Sequence, residues 1–361
     1  MVDWRKEVSA PYRQVIVANE LPTDASAHWE TLPNNHHTKC EVKPLQVLTG
    51  DINGHDVLFF PIDYSIQGAG AWAVETSAGW VVYTGDLRFR GKNRQLSEDF
   101  LRQAAALKPV ALIMEGTRIG KPGSGYTEDD VCQHMEDLLQ KHLDKLVIAN
   151  FSMTHLDRMQ AFWECAKRCD RQFVVNPKDM YLLEAWHYAG HPLSLKDSSL
   201  ALYVGTGAKP ALKWEQELYE RYDGQKVTAK EIGKNPAQYL LCFGYYDLNE
   251  LPYIGVKGGV WVQSFSEPFN EEQRIDDARL NRWLQWFDFC RYPKQDGSDE
   301  DTAPLHVSGH ASGEELQRVV ETIRPQTLIA VHTEEPQAFV SRFRGICQPI
   351  VLPKIGEEIT L

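Results

Sequence analysis

The chain of 361 residues has no apolar run that reaches the roughly 20 residues needed to cross a bilayer. Its opening stretch, MVDWRKEVSAPYRQV, has no apolar core of the kind that makes a signal peptide. Positive charge is in deficit: 38 Lys and Arg face 50 Asp and Glu, a net charge of −12. A broad basic face for nucleic acid is therefore not indicated, which leaves a locally positive groove as the route to such a ligand. The seven cysteines, at 40, 132, 165, 169, 242, 290 and 347, are odd in number and unpatterned. That count argues against a disulfide framework and suits a reducing, cytoplasmic setting. Cys165 and Cys169 lie one helical turn apart, but two ligands do not make a zinc site, so they read as ordinary helix thiols. No internal repeat or low-complexity tract is present. The glycine-rich RIGKPGSGY (118–126) lacks phosphate-loop spacing and reads as a connector.

What is present is an alternation. WVVYTGD (80–86), VALIMEG (110–116), KLVIANFS (145–152), QFVVNP (172–177), LALYVG (200–205), QYLLCFG (238–244), GVWVQSF (259–265) and TLIAVH (327–332) are short Val-, Ile- and Leu-rich runs, each the length of a buried strand. Helical spacing separates several of them, with Thr127 as an expected N-cap and Ser312 with Glu315 as a capping box. Strand–helix alternation points to an α/β layered fold. Trp283, Trp286 and Phe287 sit at helical spacing and read as a core stripe, and Arg158 as a surface ion-pairing residue.

Polar residues gather where the apolar runs stop. Asp63 and Tyr64 lie in DYSIQGAG, Asp86 ends YTGD, Glu115 lies in MEGT, His306 and His310 in HVSGH, and His332 in AVHTEEP. Carboxylates and imidazoles at strand ends suit a metal-hydrolase site, where bound metal generates hydroxide and steadies a phosphoryl transition state. Singly, each has a plainer role as a turn, cap or packing residue.

DYSIQGAGAWAVETSAGWVVYTGDLRFRG, ALIMEGTRIG, SFSEPFNEEQ and LHVSGHASGEELQRVVETIRPQTLIAVHTEEP together resemble the β-CASP branch of the metallo-β-lactamase superfamily, which contains RNase J-type ribonucleases and endonucleases of mRNA 3′-end processing. The resemblance runs from about residue 55 to the end. It implies an αββα lactamase-like domain, N-terminally incomplete, in segments 1–125 and 300–361, with a β-CASP α/β insert at 126–299. It implies catalytic roles for Asp86, Glu115 and His310: Asp86 bridging two zinc ions, Glu115 orienting neighbouring ligands, and His310 at the scissile phosphate or as proton donor. His332 matches the last zinc ligand. Ser264, Ser266, Ser308 and His306 are the implied substrate contacts, although SFSEPF reads equally well as a strand-to-helix turn.

Two departures from the family stand out. Its N-terminal HxHxDH motif is not found; the adjacent pair His36–His37 has the wrong spacing. A family histidine ligand is replaced by Tyr64, 22 residues before Asp86, and a phenol with a pKa near 10 is a poor zinc ligand at neutral pH. Zinc, two ions in the family, is therefore expected to bind weakly here or not at all. Three readings stay open: a fragment of an active nuclease, a non-hydrolytic nucleic-acid-binding or scaffold subunit, or a hydrolase with a rebuilt site. The expected partners are RNA or single-stranded DNA, and either a second copy of the chain or an active family member; no membrane is expected.

Overall fold

The computed structural model describes residues 50–52, 54–188, 191–206, 211–266, 268, 270–294 and 303–361, and the backbone of three short strands ahead of them. Those three are β1 (Val15–Ala18), β2 (Trp29–Glu30) and β3 (Lys39–Pro44), which pair in the order β1-β3-β2. His36 and His37 lie outside the described residues. The chain divides into two compact units. One is Met1–Gln46 with Cys132–Leu305, and the other is Val47–Val131 with His306–Leu361. The expected changes at 125/126 and 299/300 thus stand beside observed ones at 131/132 and 305/306, and residues 1–46 fall with the middle of the chain.

The unit of Val47–Val131 and His306–Leu361 begins with strands β4 (Gly50–Ile52), β5 (His55–Pro61), β6 (Gly70–Thr76) and β7 (Gly79–Tyr83). Helix α1 (Arg94–Leu107) and strand β8 (Ala111–Glu115) follow, then the start of α2 (Glu128–Lys141), which runs on into the other unit.

The unit containing Cys132–Leu305 is a run of strand–helix repeats. In order these are β9 (Val147–Asn150), α3 (Leu156–Arg168), β10 (Gln172–Val175), α4 (Pro177–Tyr188), β11 (Leu200–Val204) and α5 (Lys213–Arg221). Then come β12 (Lys226–Thr228), α6 (Ala229–Lys234), β13 (Tyr239–Cys242), α7 (Leu251–Ile254), β14 (Val260–Gln263), α8 (Glu271–Trp286) and β15 (Cys290–Tyr292). Its strands form one all-parallel sheet, β12-β11-β10-β13-β9-β14-β15. Helices on a parallel sheet cover both faces, so its strands carry no polar face. Val147, Ile148, Val174, Leu240, Leu241 and Trp261 are all fully buried.

Arg158 differs from its expected surface role. It is buried in α3, where Nη1 donates to Ser264 O at 3.1 Å and to Ser264 Oγ at 3.3 Å. A buried charged group must have its hydrogen bonds satisfied, and the long guanidinium reaches the end of β14 to do so. Asp179, at the third position of α4, accepts from Asn176 N at 3.2 Å. Burial, and then the charge of Asp247, push its carboxyl up to about 7.

The chain closes with α9 (Gly313–Ile323), β16 (Thr327–Val331), α10 (Pro336–Phe343) and β17 (Ile350–Val351). The second seven-stranded sheet runs β17-β16-β8-β7-β6-β5-β4, with antiparallel hairpins from β4 to β7 and parallel pairing from β7 to β17. One face carries Ala73, Val82, Leu112, Met114 and Leu328 into a core shared with α1, α9 and α10. Leu316, Val319, Val320 and Ile323 of α9 lie in it, each worth roughly 1.5–3 kcal/mol of burial. Helix α9 starts as its sequence signals: Ser312 Oγ accepts from Glu315 N at 3.3 Å while Glu315 Oε2 accepts from Ser312 N at 2.8 Å. On the opposite face Tyr83 is 41% exposed. Of the expected αββα arrangement, the described residues supply this sheet and its helical layer. Among the described residues no helix is long and apolar enough to cross a membrane.

Candidate metal centre

The Gly85–Asp86 turn leaves β7 with Gly85 at φ +59°, where a Cβ would stand 2.8 Å from Gly70 O. Only glycine fits both the backbone and the space. Thr84 is buried and stitches the turn to β8: its N donates to Ile113 O at 3.0 Å, and its Oγ1 accepts from Glu115 N at 3.3 Å. Glu115 ends β8 on the face opposite Leu112 and Met114 and is 1% exposed. Its Oε1 accepts from Leu87 N at 2.9 Å, so its carboxylate ties the residue after Asp86 to the end of the neighbouring strand.

His332 follows β16 with a left-handed backbone, φ +48°, and its carbonyl accepts from Gly116 N at 3.3 Å. That turn brings its ring to Asp86, with Nδ1 2.7 Å from Asp86 Oδ1. His310 precedes α9. Its Nδ1 lies 2.8 Å from Glu115 Oε2 and its Nε2 lies 3.2 Å from the Tyr64 hydroxyl. The His310 and His332 rings meet edge to face at 5.6 Å.

Asp86, Glu115, His310 and His332 each offer a donor atom within 4.8 Å of all the others. Among the described residues no other group of three or more His, Cys, Asp or Glu does so; Cys165 and Cys169 belong to none. Two carboxylates and two imidazoles make a donor set of the right type and number for one tetrahedral ion such as zinc. A second ion needs about three further protein donors, which the described residues do not supply. Asp63 does not add to the set: it is buried, and Arg88 Nε donates to its Oδ1 at 3.2 Å.

Tyr64 stands against this cluster, its ring 5.2 Å from that of His310. Burial first, then the charges of Asp86 and Glu115, push its phenol up to about 12, so at neutral pH it is a protonated hydroxyl. Burial works against a charged His310, but the hydrogen bond and charge of Glu115, with Asp86 behind them, outweigh it and raise its pKa.

The other expected contacts are placed differently. Ser308 is half-buried and its Oγ accepts from His310 N at 3.1 Å, so it shapes the turn that presents the imidazole. His306 is half-buried at the start of the same loop. Ser264 and Ser266 belong to the other unit. Ser264 is 1% exposed, its hydroxyl donating to Leu305 O and accepting from Arg158 Nη1; Ser266 is exposed. What sequence reasoning missed is the support beneath the centre. Buried Arg88 donates from Nη1 to Glu128 Oε1 at 2.9 Å as well as to Asp63, and its N donates to Asp63 O at 2.9 Å. The only hint was a basic residue directly after an apolar one in TGDLRFRG.

Residues 302–345 match a family described as the Zn-dependent metallo-hydrolase RNA specificity domain. Ribonuclease J of Thermus thermophilus is 23% identical over 292 residues, spanning 76% of this chain and 44% of that protein. Ribonuclease J 2 of Streptococcus pyogenes is 24% identical over 284 residues, 77% of this chain and 47% of that protein. Ribonuclease J2 of Bacillus subtilis is 21% identical over 281 residues, 77% and 46% respectively. The chain thus spans about half the length of these relatives. A solved structure of a protein of unknown function from Enterococcus faecalis V583 superposes with a TM-score of 0.67 at 22% identity, covering 89% of this chain and 68% of that one. A mixed sheet with carboxylates and imidazoles at its strand ends, together with the metallo-hydrolase domain match, supports the metallo-β-lactamase superfamily as the class of this fold. Its similarity to these ribonucleases J supports the RNase J-type branch within it.

Proposed function

We propose that this chain is a phosphodiester hydrolase of the nuclease type acting on RNA, with a centre for one divalent ion. The observation that carries this reading is the convergence of four donors, from four separate stretches of chain, within 4.8 Å of one another. Asp86, His332 and Glu115 would hold the ion, Glu115 also fixing the loop that carries Asp86, and His310 would face the phosphate. Zinc in such a site supplies Lewis-acid polarisation and a bound water of lowered pKa. His310 is held through Nδ1 by Glu115, which leaves Nε2 as the atom directed at the substrate's side of the site.

The test is metal content and RNA cleavage on the same sample. We expect about one zinc per chain, set by the number of donors, and cleavage of single-stranded RNA that Asp86→Asn and His332→Ala both abolish together with the bound metal. Two tightly held ions would overturn the one-ion centre; cleavage undiminished in Asp86→Asn would overturn the site.

Tyr64 favours a second reading, a non-hydrolytic RNA-binding or scaffold subunit, as a second copy or beside an active family member, because a protonated phenol stands where the family has a ligand. RNA binding by a chain that cleaves nothing, with or without zinc, selects that reading.

A further inference from the structure

Helix α8 does not use all its aromatic residues as the core stripe that their spacing suggests. Phe287 is buried and Trp283 half-buried, and their rings stack at 5.8 Å. Trp286 instead stands 74% exposed. It follows the buried Leu284 by two positions, which at 3.6 residues per turn puts it on the far side of the helix from the core. That outer side also carries Arg274, Ile275, Arg279 and Arg282, all exposed.

Between Arg274 and Trp286 the helix has two carboxylates, both half-buried and engaged: Asp276 by Arg279 at 3.4 Å and Asp277 by Arg291 at 2.7 Å. Among the described residues Arg274 and Arg282 have no ion-pair partner. In a chain of net charge −12, this face of α8 is a local reversal of sign. We propose that it is an accessory site for single-stranded RNA, with Trp286 stacking on a base and Arg274 and Arg282 taking backbone phosphates, an inference that rests on the reading of RNA as this chain's ligand.

Charge complementarity selects the occupant. A row of arginines without counter-charges fits a polyanion, whose bound counterions it releases. An indole this exposed offers a π-face on which any base can stack, and arginine adds cation–π contacts. From Arg274 to Trp286 the helix rises about 18 Å, room for a few nucleotides. A protein partner would call for a contiguous apolar patch, whereas Ile275 and Trp286 lie about three turns apart. The stripe is not needed to seat the helix, because Leu280 and Leu284 do so from the opposite side.

The experiment titrates the full chain into a fluorescein-labelled single-stranded oligo-uridylate and reads anisotropy at several salt concentrations, with chelator present so that the probe stays intact. Trp286→Ala should weaken binding by about 5- to 150-fold, the range for one lost base stack, and Trp286→Phe should recover most of it. Arg274→Gln combined with Arg282→Gln should lower the slope of log affinity against log salt by about 1.4, the value for two phosphate contacts on a single strand. Affinity and slope unchanged in these variants overturn the proposal. So does a dimeric wild-type chain that Trp286→Ala makes monomeric with RNA affinity intact, which would make this face a contact between copies. Cleavage is scored separately in zinc. A chain that cleaves RNA but binds the probe equally well in all variants overturns this site and leaves the nuclease reading intact. Binding that depends on the stripe, in a chain that cleaves nothing, upholds the site and overturns hydrolysis. A wild-type chain that binds no RNA overturns both.

Discussion

The chain contains two seven-stranded sheets that solve different problems. The sheet of the unit containing Cys132–Leu305 is parallel throughout, and Trp261, on the strand next to its β15 edge, is fully buried. The sheet of the other unit is antiparallel on one side and parallel on the other, and Tyr83 on one of its faces is 41% exposed. The first sheet's polar residues are consumed in holding it together, as Arg158 and Ser264 are. The second gathers Asp86, Glu115 and His332 at the ends of adjacent strands, with hydrogen bonds to one another and to neighbouring turns.

Four substitutions probe this difference. Trp261→Ala should cost about 3–5 kcal/mol, as large-to-small changes do in a close-packed core. Tyr83→Ser, on the exposed face of the other sheet, should stay within about 0.5 kcal/mol. Urea unfolding of the two variants measures the contrast, and equal losses would erase it. Asp179→Asn gives a smaller effect that depends on pH. The folded-state pKa of Asp179, about 7, lies above its ordinary 3.8, so the folded chain retains a proton that the unfolded chain releases. The stability this lends is complete below about pH 4 and is lost as pH rises through 7. Asn cannot ionise and keeps an oxygen for Asn176 N. The variant should therefore gain roughly 1–3 kcal/mol relative to wild type between pH 5 and pH 8, read from melting curves across that range; parallel curves would refute the shift. Ser312→Ala, at the start of α9, should cost about 1 kcal/mol, with the loss confined to stability if the cap does no more than hold the helix.

Much of the architecture is legible in the sequence because burial writes itself as composition. The eight apolar runs are strands, since a strand covered on both faces must be apolar at nearly every position. Strands β5 and β6 were not read that way. HDVLFFP and GAWAVET each hold only four consecutive apolar residues, VLFF and AWAV, and pair as a hairpin in which few positions are fully buried. The gathering of Asp86, Glu115, His310 and His332 could be anticipated because each stands where an apolar run or a cap ends. The contact of Tyr64 with His310 could not, as it depends on how the loop after β5 and the loop before α9 are set against each other. The same holds for Arg88, whose partners lie 25 and 40 positions away. Its guanidinium and carbonyl-facing N–H could be assigned only once the strands were in place.

Arg88 has one more consequence. Its backbone N–H and its guanidinium both grip Asp63, the residue before Tyr64, and Arg88 itself sits two positions after Asp86. At position 91 even a methyl group would come within 2.2 Å of the Asp63 carboxylate. The Tyr64 phenol and the Asp86 carboxylate are thus mounted on one block. Heat or denaturant should detach them in a single step, so that the Tyr64–His310 and Asp86–His332 contacts vanish at the same midpoint.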